Sequence, residues 1–166
     1  MRRLWAIGLV GLAVVLQLSI LPALRPLGVV PNLALVGLTL VALQVVTSEA
    51  LALAVLGGVI LDLASGANFG LWTGIFMLVA LASGMLHRAG IELEQVPVAL
   101  VMVGMGTILI ALVIWIGLAR GTGHWSLGTW GGRLVVELVI NLTLTILLRP
   151  VVRMLVGGER QAESGG

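Results

Sequence analysis

The sequence predicts an all-α integral membrane protein, a compact bundle of about six transmembrane helices. Three observations carry this. Of 166 residues, 60% are hydrophobic and only 10% are charged. Mean hydropathy is +1.20. A soluble domain carries roughly a quarter charged residues, so this chain lacks the polar surface to cover itself in water. The third observation is a series of apolar runs long enough to approach the ~20 helical residues that cross a bilayer. Disorder is excluded by the same composition, and the length suits one domain.

The first run is Leu4 to Leu21, behind Arg2 and Arg3. It resembles a signal peptide, but no small-x-small cleavage site precedes Pro22, so it reads as a retained helix. Pro22 and Pro26 break the chain. The second run is Val29 to Val46. Thr47-Ser48-Glu49 reads as a short connection, with Ser48 a helix N-cap and Glu49 in the first turn. The third run, Ala50 to Ala64, is short and contains Asp62. A loop over residues 65–69 leads to the fourth run, Gly70 to Leu86, and a polar link, His87 to Gln95, leads to the fifth, Pro97 to Ala119. A Gly-rich loop, Arg120 to Gly132, holds His124, Trp125 and Trp130. The sixth run, Leu134 to Leu148, is flanked by Arg133 and Arg149, and Pro150 kinks or ends it. One transmembrane domain over residues 1–156 is expected, then a disordered tail over 157–166.

All nine basic residues are Arg, and they are scattered rather than clustered, which disfavours nucleic acid as a partner. Six spans put both termini on one side. Arg2, Arg3, Arg88, Arg149, Arg153 and Arg160 share that side; Arg25, Arg120 and Arg133 face the other. The positive-inside rule then places both termini in the cytoplasm, with Trp125 and Trp130 at the outer interface. Cysteine is absent, which removes disulfides and thiolate metal sites.

Polar residues at membrane depth fall on two helix faces. Ala50, Ala54, Gly58 and Asp62 recur every four residues, and the small residues let a neighbouring helix approach closely. After the loop, Gly66, Gly70 and Gly74 continue the spacing. The face reads either as close packing with one satisfied carboxylate or as a partner contact. Arg133, Glu137, Asn141, Thr145 and Arg149 form a slanting polar band on the sixth span, which must be buried in protein or line a wet cavity. Asp62 and Arg133 fall near the same end of their spans, so an Asp62–Arg133–Glu137 cluster is expected, with Asn141 as a further member of the intramembrane polar group. It reads either as a network that fixes helix register or as a ligand site. His87, Arg88 and His124 read as interfacial.

The chemistry disfavours an enzyme. Asp62 is the only Asp, so an aspartyl dyad has no second Asp. The two His residues are too far apart for a zinc motif, and no phosphate-binding Gly loop carries a Lys. No cofactor or metal is expected.

Residues 57–71 read Gly-Gly-Val-Ile-Leu-Asp-Leu-Ala-Ser-Gly-Ala-Asn-Phe-Gly-Leu. The pattern Gly-x-x-x-Asp-x-x-Ser-Gly-x-x-x-Gly-Leu resembles the signature of the rod shape-determining protein MreD family. Pro31-Asn32-Leu33 resembles that family's Pro-Asp/Asn-Leu start of the second span. The motif residues are thus Pro31, Asn32, Asp62, Ser65, Gly66 and Gly70, and the specific likeness covers roughly 40 residues. The resemblance implies a non-enzymatic adaptor in the bacterial cytoplasmic membrane, working in cell-wall elongation. Its implied direct partner is MreC, a bitopic protein, with indirect links to MreB, RodA and a class B penicillin-binding protein. It also implies a fold similar to the substrate-capture subunits of energy-coupling-factor transporters. That likeness supplies the alternative function, binding of a small vitamin. The candidate partner faces are Ala50/Ala54/Gly58 and Gly70/Gly74. The link Ile91 to Gln95, with Glu92 and Glu94, is a further possible contact, and a solvated acidic loop is the plainer reading.

Overall fold

A computed structural model describes residues 2–19, 29–65, 70–91, 96–119 and 127–157. Those residues form helices α1 (Arg2–Ser19), α2 (Leu33–Ala42), α3 (Thr47–Ser65), α4 (Leu71–Arg88), α5 (Val96–Ala119) and α6 (Leu127–Val152), followed by a π-helical turn, Arg153–Gly157. Among the described residues there is no strand. Four stretches are long and apolar enough to cross a membrane: Thr47–Ser65, Leu71–Arg88, Val96–Ile116 and Trp130–Val156.

The second expected span is the clearest departure. Instead of a helix over residues 29–46, α2 has 10 residues, a length of about 15 Å, half a bilayer. Pro31 and Asn32 precede it inside the bundle, both buried. Every residue of α2 from Ala34 to Ala42 is buried, because α2 packs against all five other helices. A helix apolar all round belongs in such a core.

The third span is longer than the sequence suggested. Thr47, Ser48 and Glu49 form its first turn rather than a connection, and the Ala50 N–H already bonds the Val46 carbonyl at 3.0 Å. Ser48 is therefore not the N-cap, whereas Glu49 does sit in the first turn. Arg3 Nε donates to the Glu49 carboxylate and ties the starts of α1 and α3 together. At the far end of the bundle, α6 begins at Leu127, so Trp130 lies in a helix rather than a loop. Its ring packs on Trp115 of α5 with centroids 5.8 Å apart. Pro150 does not end α6. It lacks the N–H that would bond Ile146, and three residues later the chain widens into the π turn, where Val156 is buried. Gly157, the first residue of the expected tail, belongs to that turn. Residues 158–166 lie outside the described residues, as do Gly66, Glu92, Glu94, Arg120, His124 and Trp125.

α3 and α4 form the most closely packed pair. A Cβ on Gly58 would lie 2.4 Å from Thr73 Cα, and one on Gly84 would lie 2.5 Å from Thr47 Oγ1. Glycine is thus required near both ends of this antiparallel pair, where backbone meets neighbour directly.

Candidate functional site

Several buried polar residues in the apolar spans gather at two helix starts. An α-helix leaves its first four N–H groups without intrahelical partners, and in hydrocarbon each must be satisfied by protein.

The first centre is at the start of α4. Asp62, in the last turn of α3, is only 2% exposed. Its Oδ1 accepts from the Trp72 N–H at 2.9 Å. Its Oδ2 accepts from the Thr73 N–H at 3.1 Å and from the Thr73 hydroxyl at 2.6 Å. A carboxylate at a helix N-terminus also meets the positive end of the macrodipole. Three nearby residues shape the same turn. Gly58, one turn earlier, admits the Thr73 backbone. The Ser65 hydroxyl donates to the Asp62 carbonyl at 3.2 Å. Gly70 adopts φ +95°, the left-handed region, as the chain turns into α4.

The second centre is at the start of α2, deep in the bundle. Asn32 Oδ1 accepts from the Leu35 N–H at 3.0 Å, an N-cap bond. Gln17 Oε1 accepts from the Leu33 N–H at 2.7 Å and the Ala34 N–H at 3.4 Å. The Asn32 N–H donates to Asn141 Oδ1 at 2.8 Å, and Asn141 Nδ2 donates to Thr107 Oγ1 at 3.0 Å. One helix start therefore draws on side chains from α1 and α6, and through Asn141 on α5. Thr145 returns its hydroxyl to the Asn141 carbonyl.

The expected Asp62–Arg133–Glu137 cluster is not assembled. Both Asp62 oxygens are taken by α4, and any contact between α3 and α6 is marginal. Asn141 meets Asn32 instead of joining Asp62. Arg133 is exposed and Glu137 half-buried. The two small-residue faces also part company. Ala50, Ala54 and Gly58 are buried, taken up by the bundle. Gly70 and Gly74 are exposed, and a Cβ at either would meet nothing within 4 Å.

Beside Gly74, a groove runs between α4 and α5. Its outer part, about 520 Å³, is lined by Gly70, Gly74, Met77, Leu78, Leu109 and Val113 among others. Leu78 and Leu109 also border a second cavity of about 440 Å³, lined further by Ala82, Met102, Met105 and Gly106. The walls are aliphatic side chains, methionine and glycine.

Neither motif nor four-residue spacing points to Thr73 or Gln17 in the sequence. Gln17 is the one amide in an apolar first helix, and that isolation is the signal that could have found it. Thr73 lies within two residues of the Gly70-Leu71 motif end, where a cap is needed. Among the described residues no three His, Asp or Glu side chains converge. Compared with protein-family models, with curated proteins and with solved structures, the chain matches none.

Proposed function

We propose that this chain is a non-enzymatic membrane scaffold of the MreD type, in the bacterial cytoplasmic membrane with both termini inside. It holds an MreC-like bitopic partner through that partner's transmembrane helix, and so helps couple the MreB cytoskeleton to peptidoglycan synthesis. The observation that carries this reading is the division between the two glycine faces. The motif residues Gly58, Asp62, Ser65 and Gly70 build one rigid α3–α4 hairpin. The same hairpin presents Gly74 at its open edge, beside a groove with apolar walls. Lipid solvates apolar helices as well as protein does, so specific association in a membrane depends on close packing at small residues. The methionines along the groove adapt to the shape of what covers them.

The test is co-purification of the full-length chain from detergent with an MreC homologue, together with cell shape on depletion. Stable recovery and loss of rod shape are the expected results. Recovery of a tightly bound vitamin with an ATPase module would overturn the scaffold in favour of a transporter subunit.

A further inference from the structure

One cavity is lined by hydrogen-bonding side chains that neither centre uses. It measures about 230 Å³ and lies where the end of α4 passes the end of α2 and the start of α3. Ala42, Val45 and Val46 give it apolar walls, and Thr47, Ser83 and His87 supply its polar groups. Its volume is far above the roughly 10–15 Å³ that holds one water. Ser83 and His87 are one turn apart on α4, so their side chains share a face. Thr47 stands against Gly84 in the same turn, where an added Cβ would meet its Oγ1 at 2.5 Å. The three polar groups thus converge from two helices.

Their hydrogen-bonding roles differ. Ser83 is 2% exposed and donates to the Ala80 carbonyl at 2.8 Å, so its oxygen is left as an acceptor. Thr47 and His87 make no side-chain hydrogen bond with a described residue, so both can donate. The carbonyls that end α4 do not engage His87. The N–H groups of Ala89, Gly90 and Ile91 fill those of Met85, His87 and Leu86. Glu49, in the same first turn as Thr47, is engaged by Arg3 of α1. Val46 and His87 are exposed, so the cavity opens at the side of the bundle. Arg88 adds a positive charge in the same last turn of α4. The Trp115–Trp130 pair marks the opposite boundary, so this opening is at the depth of lipid headgroups.

We infer that the cavity binds a glycerol-phosphate group. The Thr47 hydroxyl and the His87 ring N–H donate to phosphate oxygens, and a glycerol hydroxyl donates to Ser83 Oγ. Val45 and Val46 cover the carbon atoms between them. A choline headgroup has no hydroxyl for Ser83 and brings a second cation towards Arg88. Phosphatidylglycerol and free glycerol 3-phosphate share the recognised chemistry. The inference is independent of the scaffold reading, since a membrane setting alone brings such headgroups to this depth.

The experiment titrates the full-length chain in detergent with phosphatidylglycerol, with phosphatidylcholine of the same acyl chains, and with glycerol 3-phosphate. Retained ligand is counted by native mass spectrometry. One phosphatidylglycerol is expected to be held about tenfold more tightly than phosphatidylcholine, the size of one hydrogen bond to a charged group. His87→Leu and Thr47→Val each remove most of that preference. Arg149→Gln, which removes a cation at the same boundary but outside the cavity, leaves it intact. Unfolding midpoints check that the variants fold, and His87, being exposed, tests the site even if Thr47→Val does not. Equal retention of the two lipids overturns the inference, as does a preference that His87→Leu leaves intact or that Arg149→Gln abolishes. Retention of glycerol 3-phosphate alone, lost in His87→Leu, upholds the site and assigns it to the free ester.

Discussion

The starts of α2 and α4 pose the same problem and solve it differently. At α4 the cap is a carboxylate, supplied from within the same hairpin, ten and eleven residues before its donors. At α2 the caps are neutral amides, and Asn141 comes from 109 residues away. Position along the bundle accounts for the difference. Asp62 is near the end of α3, where the cost of a charge falls off. Asn32 and Asn141 are in the middle of the bundle, and an amide there satisfies N–H groups without carrying a full charge. The α4 centre thus closes a local unit, whereas the α2 centre ties distant segments into one core.

The sharpest way to break this comparison is at the backbone contact in the hairpin. Gly58→Ala puts a methyl 2.4 Å from Thr73 Cα, and α3 and α4 must separate. Destabilisation at or above about 3 kcal/mol is expected, read from unfolding in mixed detergent. Asn141→Leu comes next. It leaves the buried Asn32 N–H without an acceptor and is expected to cost about 2–3 kcal/mol. Hydrogen exchange should quicken at residues 32–35 and stay unchanged at Trp72 and Thr73. Exchange that quickens equally at both helix starts would show that the two centres are not separable. Asp62→Asn keeps one acceptor and loses the other, so a smaller loss of about 1–2 kcal/mol is expected, with exchange changed at Trp72 and Thr73 alone. Trp115→Leu removes a ring pair worth about 1 kcal/mol, the smallest effect, and should leave both helix starts protected.

How far the sequence revealed these centres follows the same division. Apolar runs marked where helices lie, since hydropathy is a property of single segments. The four-residue spacing of Ala50, Ala54, Gly58 and Asp62 correctly put them on one face, and that face is buried. What spacing within one helix cannot supply is the partner across the gap. Depth alone pairs Asp62 with Arg133, whereas its donors lie at the next helix start. The shortness of α2 had a local sign, Asn32 directly before Leu33, the residue type that begins helices. The apolar run through Val29 and Val30 concealed it. The first turn of α3 was hidden for the opposite reason. Thr47, Ser48 and Glu49 are polar, yet polar residues suit a helix start near a membrane boundary as well as they suit a loop.

The central functional claim is that Asp62, Asn32, Gln17 and Asn141 serve the chain's own helix starts, while the Gly74 edge is left for a partner. Gly74→Leu tests it most directly, by recovery of an MreC homologue with the full-length variant alongside its unfolding midpoint. A Cβ at Gly74 meets nothing within 4 Å, so the account predicts unchanged stability and lost recovery. Full recovery at unchanged stability would contradict it.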